Sequence, residues 1–233
     1  MSTENRGITP GGDPINDACG SPTDDGYLWK EIQKCVQQKP GPCLEVDSRW
    51  GVLPGESGST TDFQLVATDR LKGIECPKIW ASTAADYWSA ALSRIPHYFP
   101  HPGAVGLGIN SKHARRQDQL HIHMSHYATQ ALHDLDTHDK QQKIPTDLTK
   151  WKDAVLPVTG FKSETRNYRV MKSPNLTGNL FSFLRRYVVG DDNRMQYQTM
   201  IVLPRSTNGF YVLNSESDLH SGTDTCNHLL DCA

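Results

Sequence analysis

One stretch of the chain carries most of its reactive side chains: Gln117-Asp118-Gln119-Leu120-His121-Ile122-His123-Met124-Ser125-His126. Read with the period of two that a strand imposes, Gln117, Gln119, His121, His123 and Ser125 share one face, and Leu120, Ile122 and Met124 share the other. The apolar set belongs against a core. The polar set is unusual, because a solvated strand face ordinarily carries Lys, Glu and Thr. Two imidazoles at i and i+2, beside an amide and a hydroxyl, supply acid, base, nucleophile and donor within a few ångströms. Three uses compete. The face can be wet, with incidental histidines. It can bind metal, with His113, His126, His133 and His138 close in sequence. No Asp, Glu or Cys lies on that face, however, and Gln119 and Ser125 are poor zinc ligands, so no metal or other cofactor is expected. It can attack phosphorus, one imidazole as nucleophile and the other handling protons or charge. The upstream residues favour this last use. Asn110, Ser111, Lys112, Arg115 and Arg116 are the amide, hydroxyl and cationic groups that hold phosphate oxygens.

The elements that must position this array form an α+β pattern with a mostly antiparallel sheet. Tyr27 to Val36 reads as a helix that Asp24 or Asp25 can cap. Leu44–Asp47, Trp50–Leu53 and Asp62–Thr68 read as strands, with a turn over Gly55–Ser59. Ala84 to Arg94 is an amphipathic helix, with Tyr87, Trp88, Ala91, Leu92 and Ile95 making the core stripe. Val105–Ile109 is a short strand that pairs with the histidine strand as a hairpin, its loop carrying Arg115 and Arg116. Thr129–Asp139 is a polar helix, and Trp151–Val158 reads as irregular. Tyr168–Met171, Met195–Leu203 and Phe210–Leu213 are further strands, with a helix over Asn179–Val189 and hairpin turn chemistry at Thr207-Asn208-Gly209. Strand–helix–strand–strand occurs once in each half, which predicts a degenerate duplication.

The 233 residues and net charge of −2 bound the partners. There is no global basic field to attract nucleic acid or an anionic membrane, and no apolar run of membrane-spanning length. A small molecule or a lipid-nucleotide is the expected partner, and the sequence sets no oligomeric state. Residues 1–26, rich in Gly, Pro, Asp, Asn and Thr, are expected to be a disordered lead-in to a catalytic domain over 27–233. No signal peptide is visible, and such a start suits a mature chain whose targeting segment has been removed. None of the six cysteines forms a Cys-x-x-Cys pair, which argues against a zinc ribbon. Their even count and clustering towards the ends predict at least two disulfides, one using Cys35 or Cys43 and another using Cys232. Asn175-Leu176-Thr177 is a glycosylation sequon. Together these favour the secretory pathway or an extracellular setting, with six buried thiols in the cytoplasm as the alternative.

From about Tyr27 to Cys232 the chain resembles the CDP-diacylglycerol pyrophosphatase family, a divergent branch of the histidine-triad superfamily. The landmarks are Leu28-Trp29 with Cys35, Pro42-Cys43 with Glu45-Val46, Thr68 and Arg70 with Gly73-Ile74-Glu75 and Pro77, then Ile109-Asn110-Ser111, Arg115, Gln117 and Leu120-His121-Ile122-His123 with Ser125, and finally Phe210-Tyr211-Val212-Leu213 and Cys232. The resemblance implies a histidine-triad-like antiparallel sheet with helices packed on one face. It implies that His121 is the nucleophile on an α-phosphate, assisted by His123 and Gln119. Asn110, Ser111, Arg115, Gln117, Ser125 and Arg70 are then the candidates for holding phosphate and substrate. Gln119 replaces the first histidine of the superfamily pattern, Lys112 stands where the family often has Arg, and His126 replaces a family cysteine. The implied activity is hydrolysis of a phosphoric anhydride in CDP-diacylglycerol or a related nucleotide diphosphate conjugate, through a phosphohistidine. Two alternatives stand beside it. One is a relative reused in secondary metabolism, whose histidine pair works as acid and base on a phosphate-free substrate as an isomerase, cyclase or lyase. The other is a binding module without turnover.

Overall fold

The structure, a computed structural model, describes residues 18–55 and 60–232. Most of the expected lead-in, and residues 56–59 of the expected turn, lie outside the described residues. The strands are β1 (Glu45–Val46), β2 (Trp50–Pro54), β3 (Asp62–Ala67), β4 (Val105–Ile109), β5 (His121–His126), β6 (Val155–Thr159), β7 (Thr165–Ser173), β8 (Thr199–Pro204) and β9 (Phe210–Ser215). They form one nine-stranded sheet in the order β1-β2-β3-β5-β4-β8-β9-β7-β6, antiparallel at every pairing. The helices are α1 (Tyr27–Gln38), α2 (Tyr87–Tyr98), α3 (Thr129–Lys140) and the short α4 (Leu180–Leu184). The α+β antiparallel class is therefore as expected. The duplication is written into the strand order. Outward from the central β4–β8 pair run β4, β5, β3, β2 on one side and β8, β9, β7, β6 on the other. Counted within its half, each series is third, fourth, second, first, and each half inserts a helix, α2 or α4, between its second and third strands.

Strand parity assigns the two faces. Leu65, Leu107, Ile122, Met124, Met200, Val202 and Val212 turn one way and pack with Tyr87, Trp88, Ala91 and Ile95 of α2 and Leu180, Phe181 and Leu184 of α4 into the main core. On the reverse face, Ile201, Leu203, Tyr211, Leu213 and Val170 pack with Ala131 and Leu135 of α3 and with Leu229 and Leu230 of the C-terminal tail. At the far end of that face, Leu28, Trp29 and Ile32 of α1 cover Leu53 and Val66. Helices thus lie on both faces rather than one. A second helix layer is needed because β7, β8 and β9 are apolar on both sides. Among the described residues, this face forms a trough over β3 and β5, between α1 and the tail that lies on β4, and that trough is where the histidines point.

Several local expectations shift for physical reasons. The helix expected from Ala84 starts at Tyr87, because the Asp86 side chain accepts from the Ser89 N–H at 3.0 Å and caps it there. Neither Asp24 nor Asp25 caps α1, whose N-cap is Gly26. Asp24 is instead held by Arg70 and the Ser21 N–H. The segment read as irregular contains β6, missed because Pro157 interrupts it; β6 is the edge of the sheet, where a missing N–H leaves no partner unpaired. Two disulfides are formed, Cys35–Cys43 and Cys19–Cys76. The second anchors residues 18–26 to the body, with Cys19 fully buried. Cys35–Cys43 matches expectation, but the bond expected at Cys232 is not formed, and Cys226 and Cys232 are free thiols. The tail holds Cys232 beside Cys226 and His123, while the other four cysteines are already paired with one another. Among the described residues no helix is long and apolar enough to cross a membrane.

Candidate active site

β5 sits between β3 and β4. The register opposes Asp62 to Ser125, Gln64 to His123 and Val66 to His121 on one side, and Gly106 to Ser125 and Gly108 to His123 on the other. Paired residues share a face, so Asp62 and Gln64 flank the histidines. The expected parity holds behind them: Leu120, Ile122 and Met124 are all buried in the main core. The front face is not wet, however. His121 is 6% exposed and His123 5%, because the tail roofs one side of the trough. Glycine at alternate positions of Val105-Gly106-Leu107-Gly108-Ile109 admits that tail. A Cβ at Gly108 would stand 2.6 Å from Leu230 Cδ1 and 2.7 Å from Cys226 Cβ, so any side chain there would displace residues 226–230. The tail is fastened by Asn110 Oδ1, which accepts from the Cys226 N–H at 2.8 Å, and by Ser125 Oγ, which donates to the Asp231 carbonyl at 2.7 Å.

The resulting cleft has a volume of about 230 Å³ and is lined by Gln64, Asn110, Ala114, Arg116, Gln117, His121, His123, Asn227 and Cys232. His121 Nδ1 lies 2.6 Å from the Gln119 carbonyl oxygen. A carbonyl only accepts, so Nδ1 carries the proton and Nε2 keeps the lone pair. Burial first, then the neighbouring His123 and Arg115, push the His121 pKa down to about 3, against the raising effect of that hydrogen bond. The ring is therefore neutral across the physiological range, as a nucleophile or base must be. The two imidazoles stand 5.0 Å apart, edge to face. His123 Nδ1 faces Asp62 Oδ1 at 3.4 Å, with both side chains buried. A buried carboxylate behind an imidazole fixes the ring and stabilises its protonated form.

The sequence candidates divide into two groups. His121, His123, Asn110 and Gln117 come together at the cleft. Gln119, Ser111, Ser125, Arg115 and Arg70 are committed to neighbours instead. The Gln119 amide donates to the Ala67 and Asp69 carbonyls at 2.7 and 2.8 Å and accepts from Arg70, so its backbone carbonyl, rather than its side chain, orients His121. Ser111 Oγ accepts from the N–H groups of His113 and Ala114 and shapes their turn. The Arg115 guanidinium is gripped by both oxygens of Glu75 at 2.7 and 2.5 Å and by Asp118. Arg70 is held by Asp24, Gln119 and the Asp118 carbonyl. It lines two larger clefts, of about 630 and 670 Å³, which neither histidine of the ladder lines. Sequence reasoning missed Asp62, Gln64, Asn227 and Cys232. The first two share strand parity, a usable signal once β3 is paired with β5. The tail residues left none, because nothing local says that residues 226–232 return to β4.

The sequence profile of the CDP-diacylglycerol pyrophosphatase family matches residues 23–233. Among curated proteins, the CDP-diacylglycerol pyrophosphatase of Yersinia pestis is 33% identical over 144 residues, 52% of this chain and 54% of that protein. The probable CDP-diacylglycerol pyrophosphatase of Mycobacterium leprae is 28% identical over 203 residues, 81% of this chain and 73% of that one. The match thus spans about half the length of the first relative and nearly three quarters of the second. With the profile running from residue 23 through the ladder and the tail that roofs it, this chain belongs to the CDP-diacylglycerol pyrophosphatase family.

Proposed function

We propose that this protein hydrolyses the phosphoric anhydride of CDP-diacylglycerol, or of a closely related nucleotide diphosphate conjugate, through a phosphohistidine on His121. The observation that carries the reading is the His121 ring itself: neutral, with Nδ1–H directed at the Gln119 carbonyl and Nε2 left as the nucleophilic atom. Nε2 attacks the phosphorus next to the nucleoside, a P–N bond forms, and the P–O bond of the anhydride breaks. His123, backed by Asp62, gives its proton to the departing phosphate oxygen. It then takes a proton from the water that cleaves the P–N bond, so that nucleoside monophosphate is released and both rings are restored. Amides of Gln64, Asn110, Gln117 and Asn227, with the charge of Arg116 at the mouth, surround the equatorial oxygens; such placed donors typically contribute several kcal/mol to the transition state. The two disulfides fit catalysis in the secretory pathway or outside the cell. The test is a quench experiment with CDP-diacylglycerol labelled at the α-phosphate. Acid-labile, base-stable label on His121 is expected, absent from His121→Ala. Full turnover by His121→Ala would overturn the mechanism.

One observation favours a second reading. Among the described residues lining the cleft, Arg116 is the one with a permanent positive charge, since Arg70 and Arg115 point elsewhere. A cleft with one cation and an Asp62–His123 pair also suits acid–base chemistry on a phosphate-free substrate, as in a relative reused in secondary metabolism. Turnover of such a compound that needs His123 more than His121 separates the two readings.

A further inference from the structure

The tail that roofs the trough brings two thiols to it. Cys226 is fully buried beneath Leu230 and against Gly108, Cys232 lines the cleft, and neither is in a disulfide. A ring nitrogen of His123 and the two sulfurs all lie within 4.8 Å of one another. Zinc(II) takes sulfur at ~2.3 Å and imidazole nitrogen at ~2.0–2.1 Å, so three corners of its tetrahedron stand ~3.4–3.8 Å apart. Closing the cluster from 4.8 Å to that size needs a shift of up to about 1.4 Å, within the reach of χ rotations in Cys232. Two thiolates and an imidazole are a soft to borderline set that selects zinc over magnesium or calcium. The outer shell is in place as well. The Asp62 carboxylate stands 3.4 Å from His123 Nδ1, the arrangement in which one ring nitrogen donates to a carboxylate and the other meets the metal. His123 and Cys232 both line the cleft, together with His121, Asn110 and Asn227.

We propose that His123, Cys226 and Cys232 bind one zinc(II)-class cation, and that the bound cation silences the cleft by engaging His123. On binding, both thiols lose their protons to solvent, and the two thiolates neutralise the dication. Binding stands on geometry alone; silencing rests on the acid–base role proposed for His123 above. Both cysteines lie more than 100 residues from His123 in the sequence, which is why the ladder read by itself offered no sulfur ligand.

The experiment uses the full chain. Thiol titration in guanidinium should count two free thiols. Zinc competition against a chromogenic chelator should give one equivalent per chain, and affinity should fall at least ~100-fold in Cys226→Ser and in Cys232→Ser. Cobalt(II) in place of zinc should show sulfur-to-metal charge transfer that both variants lose. Because Cys226 is buried, its variant is checked by thermal melting, and the better-exposed Cys232→Ser carries the test if Cys226→Ser unfolds. One equivalent of zinc should lower hydrolysis of CDP-diacylglycerol at least tenfold, reversibly with EDTA, and Cys232→Ser should keep its own rate at the same zinc concentration. The site is overturned by unchanged zinc affinity in the double variant, or by zero titratable thiols, which would mean a third disulfide in place of a metal site. Stoichiometric zinc without loss of rate overturns the silencing alone. Absence of turnover in metal-free protein sinks the proposed function and leaves the binding result standing.

Discussion

Glu75→Gln tests whether Arg115 holds the fold or the substrate. Arg115 and Glu75 are a buried bidentate pair, with side chains 2% and 8% exposed and contacts of 2.7 and 2.5 Å. Removing one partner of a buried pair leaves the other charge uncompensated, which costs about 3–5 kcal/mol. Two effects offset part of this. Glutamine keeps one neutral acceptor, and Asp118 still touches Arg115, although at 57% exposure that contact is worth only ~0–1 kcal/mol. The expected net loss is about 2–4 kcal/mol. At ~2–4 °C per kcal/mol for a domain of this size, the melting temperature should fall by about 4–16 °C. Replacing both residues, as Glu75→Leu with Arg115→Met, should destabilise less than the sum of the single changes, because neither charge is then stranded. The assay is calorimetry of the parent, Glu75→Gln, the two single variants Glu75→Leu and Arg115→Met, and their double variant, with kcat and KM for CDP-diacylglycerol measured well below the transition. The structural role predicts lower melting temperatures with KM nearly unchanged. A melting temperature within about 1 °C of the parent, together with a KM raised tenfold, would show that Arg115 turns to the substrate and refute the reasoning.

Three further outcomes are expected. His121→Ala should abolish hydrolysis and His123→Ala should lower kcat/KM by ~10²–10⁴-fold, the range of a general acid–base group; the reverse order of defects, measured by steady-state kinetics, would move the phosphate-free reading ahead. Gly108→Ala should destabilise by ~1–3 kcal/mol through overpacking and raise KM as Asn227 and Cys232 shift, whereas unchanged melting and kinetics would mean that the tail does not lie on β4. Glu216 is desolvated, which raises its pKa, but hydrogen bonds from Arg169, Arg194 and Gln198 outweigh this and hold it below its ordinary value of 4.5. A carboxyl depressed on folding contributes stability that is present above its unfolded pKa and lost as pH falls through its folded one. Melting temperature should therefore decline below about pH 4.5 less steeply in Glu216→Gln than in the parent, and identical acid limbs would count against that network.

The sequence by itself determined the local geometry of the ladder. Period-two alternation put Leu120, Ile122 and Met124 in the core and both histidines on the opposite face, because a slip of one residue would bury imidazoles in an apolar layer. The Val105–Ile109 hairpin partner, the Asn208-Gly209 turn and the strand–helix rhythm of the two halves were likewise legible, since each rests on interactions a few residues apart. Tertiary structure alone decided which polar groups remain for chemistry. Arg70, Arg115, Gln119 and Ser125 carry the right side chains, yet Asp24, Glu75, the Ala67 carbonyl and the Asp231 carbonyl claim them through contacts between distant parts of the chain. The same long-range packing supplied Asp62 behind His123, laid Cys226 and Leu230 over two glycines of β4, and brought Asn227 and Cys232 to the cleft. A donor's type is a property of its residue, but whether it stays available depends on what the folded chain places within about 3 Å of it, and no local pattern encodes that.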